Sequence, residues 1–139
     1  MNINLELLKQ SNLLSDFNDS QLNQFLEKSK LLSFKNDETI YEVDSIEHNG
    51  IFLILEGTIN LYRSNQNTTS DNIYSQISSG DIFNEFSILY ENKTSFKAVA
   101  HENSKLLFIS KIDFLNICES NVNSKKNFAD FKRNKKDKC

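Results

Sequence analysis

A mainly β domain framed by helices is the fold class this sequence predicts, and three observations point to it. Seven short apolar runs of strand-like spacing fill the middle of the chain, punctuated by Asn, Asp, Ser and Gly. Apolar residues at helical spacing stand before and after them. The length of 139 residues fits one domain, and Leu, Ile, Val and Phe make up about 31% of it, above the roughly 20% below which chains stay disordered.

The expected order is helix, β-sandwich or barrel, helix. Residues 4–28 read as helix in two pieces. Leu5, Leu7 and Leu8 begin the first, a break follows near residues 11–16, and Asn18 or Asp19 then caps a segment presenting Leu22, Phe25 and Leu26 on one face. After Lys30 the period changes. Leu32 and Phe34, Ile40 and Tyr41, the run Ile51-Phe52-Leu53-Ile54-Leu55, the run Ile59-Asn60-Leu61-Tyr62, and residues 73–77, 96–100 and 105–109 read as strands. The polar stretch 64–71 reads as a hairpin connection. Ile112, Phe114, Leu115 and Ile117 resume a helical pattern after Ser110, and residues 127–136 extend a final helix whose Phe128 and Phe131 stand three apart.

Composition narrows the function classes. The longest apolar run has five residues, far from the ~18 needed to cross a bilayer, and the first ten residues lack a continuous signal-peptide core. No transmembrane segment is expected. With only Cys118 and Cys139 there is no disulfide framework and no four-ligand zinc set, which fits a cytoplasmic setting. From Lys125 onward seven basic residues face two acidic ones, a net of +5, which leaves −8 for residues 1–124 because the whole chain carries −3. An acidic body argues against a nucleic-acid-binding surface, and the basic tail reads either as a solvated terminus or as an electrostatic contact with an anionic partner.

Catalytic patterns are missing. No Ser-His-Asp, Cys-His or paired-carboxylate arrangement stands at informative spacing, and Gly50, Gly57 and Gly80 form no phosphate-cradling loop, so the chain is expected not to be an enzyme. A metal-dependent cupin-like barrel needs two or three histidines converging with a carboxylate. His48 and His101 fall in expected loops and read as surface histidines, and no metal site is expected. Cys118, among Phe114, Leu115 and Ile117, reads as a small core residue.

Several local patterns, in this order, resemble one family. Leu7-Leu8-Lys9, then Leu13-Leu14-Ser15-Asp16-Phe17-Asn18-Asp19-Ser20-Gln21-Leu22, then Glu38-Thr39-Ile40-Tyr41-Glu42-Val43-Asp44 resemble the opening of cyclic-nucleotide-binding domains of the catabolite activator and kinase regulatory-subunit type. The stretch from Ile51 to Leu55 continuing through Glu56-Gly57-Thr58-Ile59-Asn60-Leu61-Tyr62 resembles their central hairpin, with Gly57 in the turn. Gly80-Asp81-Ile82-Phe83-Asn84-Glu85-Phe86-Ser87-Ile88-Leu89 resembles the start of their phosphate-binding cassette. Ala98-Val99-Ala100, Leu106-Leu107-Phe108-Ile109 and Lys111-Ile112-Asp113-Phe114-Leu115 resemble the closing strands and the following helix. The resemblance implies an eight-stranded jelly-roll β-barrel with flanking N- and C-terminal α-helices over residues 1–120, followed by a short helix and basic tail over residues 121–139. The residues after Ser120 are too few for the DNA-binding domain that follows in bacterial regulators.

The resemblance also implies a site. In the family cassette a short helix begins at a tight glycine turn, and its free N–H groups hold an anionic phosphate. Asn84 stands at the glycine position and is one of the few residue types that enter the left-handed region readily. Glu85 matches the carboxylate that accepts from the ribose 2′-hydroxyl; it would equally suit the first turn of a helix. Phe83, Phe86, Ser87 and Ser95 complete the implied ligand-binding set. Thr94 stands where kinase-type cassettes carry the phosphate-binding arginine, and Lys93 and Lys97 are the nearby charges that could meet a phosphate. One neutral hydroxyl in place of a charged fork implies that ordinary cyclic AMP and cyclic GMP bind weakly or not at all. Val43 replaces a family glycine, and a β-branched residue tolerates positive φ badly, so the turn there is expected to take another shape.

The expected function is a regulatory sensor module for a cyclic nucleotide or other small anion, acting on a regulated protein partner. The alternative is a ligand-free interaction domain that docks a transporter, channel or enzyme. A second copy of the chain, as a homodimer, is a further candidate partner. No cofactor is expected.

Overall fold

The computed structural model describes residues 5–10, 14–46, 48–63, 73–85 and 96–119. Three helices and eight strands lie within them: α1 (Leu5–Lys9), α2 (Asp19–Lys28), β1 (Lys30–Phe34), β2 (Thr39–Tyr41), β3 (Gly50–Glu56), β4 (Thr58–Tyr62), β5 (Ile73–Ser78), β6 (Ile82–Phe83), β7 (Lys97–Ala100), β8 (Ser104–Ser110) and α3 (Lys111–Glu119). The expected final helix over 127–136, the basic tail, Cys139 and the polar stretch 64–71 lie outside the described residues.

The strands form two antiparallel four-stranded sheets, ordered β1-β8-β3-β6 and β2-β7-β4-β5. This corrects the expected barrel. The ladders do not run continuously around the core, and the two sheets face one another as an open sandwich. The expected central hairpin is corrected with it, because β3 pairs with β6 and β8 while β4 pairs with β5 and β7. Gly57 is the corner between sheets. It sits at φ 101°, and a β-carbon there would lie 2.1 Å from Ser104 Oγ and 2.8 Å from the Asn103 carbonyl oxygen. Only glycine can make so short a crossing.

The run Ile51-Phe52-Leu53-Ile54 is continuously apolar because β3 is covered on both faces. Ile51 and Leu53, opposite Ile109 and Leu107 on β8, pack against Leu8, Leu22, Phe25, Phe114 and Ile117 of the helices. Phe52 and Ile54 alternate to the other side and join Tyr41, Ile59, Leu61, Phe83 and Leu106 between the sheets.

The helices follow their caps. Asn18 is the N-cap of α2: its side chain accepts the Gln21 N–H at 2.8 Å, and Gln21 Oε1 accepts the Asn18 N–H at 3.0 Å. Gln21 is itself buried, and its Nε2 donates to the Ile117 carbonyl oxygen of α3 at 2.9 Å. Ser110 Oγ accepts the Asp113 N–H to start α3. Phe114, Ile117 and Cys118 face the core as the periodicity predicts, whereas Ile112 is 72% exposed and takes no part in it. Burial pushes the Cys118 thiol up to about 12, with the neighbouring Glu119 charge adding to the effect.

Candidate functional site

β5 leaves the second sheet and β6 enters the first through a turn at Ser79-Gly80, with Gly80 at φ 92°. The Gly80 N–H donates to the Ile54 carbonyl oxygen at 2.9 Å, and the Ile54 N–H to that of Asp81 at 3.0 Å, so the turn is fastened to β3. From there the chain runs through Ile82 and Phe83, paired with Leu53 and Phe52, to Asn84 and Glu85. Two residues are too short to show alternation, which is why β6 was not among the strands expected from spacing.

Asn84 adopts φ 70°, the left-handed conformation expected at the family's glycine position. Its side chain has a second function that the sequence did not suggest. Buried to 9% exposure, it donates from Nδ2 to the carbonyl oxygens of His48 at 2.7 Å and Gly50 at 3.0 Å, joining the turn to the loop that precedes β3. In that loop the positive φ falls on Asp44, at 64°, rather than on Val43, so the β-branched residue escapes the strain.

His48 is half-buried rather than a surface histidine, which corrects the expectation for it. Its ring stands 5.8 Å from that of Tyr41 and 6.3 Å from that of Phe52, and its Nδ1 meets Ser45 Oγ at 2.9 Å. Phe52 stacks on Phe83 at 5.0 Å and packs on Phe108 at 4.8 Å. His101 is exposed and meets the buried Asn60 amide through Nδ1 at 3.3 Å. Among the described residues no three His, Cys, Asp or Glu side chains converge on a metal position.

A cavity of about 190 Å³ opens beside this turn. Phe83, Asn84 and Glu85 form one wall, Tyr41 another, Leu61, Ser75 and Ile77 line it from the second sheet, and Phe96, just before β7, adds to the lining. Tyr74 stacks on Phe96 at 4.4 Å, with the Arg63 guanidinium 5.1 Å above the Tyr74 ring. Glu85 is the one charged side chain among the described lining residues. Burial, and after it the Glu85 charge, raises the Tyr41 phenol well above its ordinary pKa, so it stays protonated.

Of the residues proposed from sequence, the structure brings Phe83, Asn84 and Glu85 together; Phe86, Ser87, Lys93, Thr94 and Ser95 lie outside the described residues. Lys97 is directed elsewhere. It stands opposite Tyr62 on the face of β7 away from the core residues Ala98 and Ala100, with Nζ 3.7 Å from Glu42 Oε2, and it is not part of the cavity wall. Tyr41 lines the cavity too and is not among the residues proposed from sequence, because beside Ile40 it reads as plain strand core.

A family model described as the cyclic nucleotide-binding domain matches residues 31–121. No curated protein matches by sequence. Among solved structures, the catabolite activator protein of Thermus thermophilus is similar with a TM-score of 0.76 at 20% identity, covering 92% of this chain and 59% of that one. The sensor domain of the transcriptional regulator DNR from Pseudomonas aeruginosa gives 0.79 at 17% identity, over 94% and 86% of the two chains. The cAMP-bound PfPKA-R gives 0.70 at 20% identity, over 81% and 39%. The chain thus spans about three-fifths of the Thermus protein and less of PfPKA-R, and at these identities the likeness is one of fold.

Proposed function

The chain belongs to the cyclic nucleotide-binding domain family, and from that premise we propose that it is a regulatory sensor module whose cavity beside Glu85 binds a cyclic nucleotide weakly and conveys occupancy to a protein partner through α3. One observation carries the reading: a left-handed turn at Asn84 sets the Glu85 carboxylate on the wall of a cavity between the sheets. A carboxylate there suits a sugar hydroxyl, and the apolar and aromatic walls suit a flat base. That PfPKA-R is cAMP-bound supports the ligand class. Phe86, Ser87 and Ser95 are proposed to complete the contacts. Lys93 is the remaining candidate for the phosphate charge, since Lys97 lies against Glu42.

The strand pairing β1 with β8, β2 with β7, β3 with β6 and β4 with β5 supports reading the sandwich as a jelly roll wound from one long antiparallel hairpin. The domain is assigned to residues 1–120 and the basic tail to 121–139. The module is read as non-catalytic and cytoplasmic; no helix among the described residues is long and apolar enough to cross a membrane.

Titration calorimetry with cyclic AMP and cyclic GMP tests this. The chain should bind with a Kd no tighter than roughly 10 μM, because Thr94 offers one neutral hydrogen bond where an arginine would give a charged fork. Thr94→Arg should tighten binding by roughly 10- to 150-fold. Nanomolar binding by the unaltered chain would refute the weak-site reading. Absence of binding by both forms at millimolar concentration would instead favour a ligand-free domain that docks a transporter, channel or enzyme, a reading the missing arginine already favours.

A further inference from the structure

Tyr41 ends β2 between the two sheets with only 3% of its surface exposed. Its ring is held by Phe52 at 5.5 Å and Phe83 at 6.1 Å, and the residue lines the cavity alongside Glu85. These contacts need only an aromatic ring; a phenylalanine would make all of them. The packing thus leaves the hydroxyl unused, and what it faces matters, because a phenol is costly wherever it meets neither water nor a partner.

Among the described residues that hydroxyl makes no hydrogen bond, and it is not among the polar atoms sealed from solvent. It is a donor that opens on the cavity. The raised pKa keeps its proton in place through the physiological range, so it acts there as a donor and not as an anion. On the same wall the Asn84 amide already donates to His48 and Gly50.

We propose that Tyr41 is a specificity-determining residue of this cavity, whose hydroxyl donates a hydrogen bond to an acceptor oxygen of the ribose–phosphate ring of a bound cyclic nucleotide. The inference deepens the function proposed above and rests on it. Tyr41 reads an acceptor where Glu85 reads a hydroxyl, and the pair together selects a sugar over a purely apolar occupant. A ligand lacking that acceptor would displace water from the hydroxyl and leave it without a partner.

Tyr41→Phe is the test, because it removes the hydroxyl and keeps the ring. Two readouts are needed: thermal unfolding of the ligand-free protein, and calorimetric titration with cyclic AMP and cyclic GMP. A ligand-directed hydroxyl has nothing to lose in the free protein, so the midpoint should stay within about 1 °C or rise, while the Kd for the better of the two probes weakens about tenfold. A fall of the ligand-free midpoint by more than about 5 °C would make the hydroxyl a structural group and overturn the inference. Unchanged affinity in the variant would overturn it while leaving the sensor reading in place. Failure of the unaltered chain to bind either probe at millimolar concentration would remove the sensor reading, and this inference with it.

Discussion

Gln21 on α2 donates from its buried side-chain amide to the carbonyl oxygen of Ile117 on α3, at 2.9 Å and across 96 residues of sequence. The same side chain closes the capping box of its own helix through Oε1. One residue therefore starts α2 and ties it to the last turns of α3.

Gln21→Ala should lower stability by about 2 kcal/mol in urea unfolding, since the cap and the inter-helix bond each contribute about 1 kcal/mol. Gln21→Glu keeps the capping acceptor but sets a carboxylate against a carbonyl. It should be worse than alanine at pH 7 and should recover as pH falls toward 4, where the protonated acid donates again. Equal losses for the two variants at pH 7 would contradict the tie to Ile117.

Asn84 should prove more than a tolerated stand-in for glycine. Asn84→Gly relieves the left-handed backbone by about 1 kcal/mol but strips the donors from two carbonyl oxygens, so it should destabilise by about 1 kcal/mol net. Asn84→Ala loses the same donors and keeps the strain, and should cost about 2–3 kcal/mol. A gain in urea midpoint for the glycine variant would show that the bonds to His48 and Gly50 contribute nothing.

Gly57→Ala should cost more than about 3 kcal/mol, combining an unfavourable φ of 101° with a β-carbon 2.1 Å from Ser104 Oγ. Comparison of the chemical unfolding midpoints measures it. A loss below about 1 kcal/mol would mean that the β3–β4 corner deforms easily.

Cys118 sets an alkaline limit. Its folded-state pKa of about 12 lies above the ordinary thiol value of 9.0, so the unfolded chain gives up this proton first. The associated stability is complete below about pH 9 and declines as pH rises toward 12. Tyr41, also raised, adds to that decline. In a Cys139→Ser background the folded protein should resist iodoacetamide at pH 8 and react on unfolding in urea. Rapid labelling of the native form would contradict the burial of Cys118.

Much of the scaffold was legible because its signals are local. The cap at Asn18, the face of Leu22 and Phe25, and the strand runs all lie within a few residues of one another, and the structure has them as the spacing predicts. The Gly57 corner was misread because a glycine between two apolar runs looks the same whether the strands pair or part. Only the ladder partners, β6 and β8 for β3 against β5 and β7 for β4, distinguish the cases. Of the candidate site, the left-handed turn at Asn84 and the place of Glu85 beside the cavity were legible, because a backbone requirement and a charge leave a mark in sequence. Tyr41 was not, since a hydroxyl that opens on a cavity is defined by what stands opposite it in space. Nor was the Asn84 tether, whose partners are main-chain atoms that carry no residue signature.

The residues that lead into β3 receive bonds from two directions. Asn84 reaches the His48 and Gly50 carbonyl oxygens from the turn after β6, and the Lys111 N–H reaches that of Asn49 from the start of α3 at 3.1 Å. This three-residue stretch is a crossbar between the turn and the helix, with no side-chain packing needed to link them. A turn that rotates on binding must lengthen those bonds or pull the crossbar along, and α3 is fastened to the crossbar's middle residue. The amide of Lys111 would then report on the cavity in hydrogen exchange, its opening rate following events on the far side of β3.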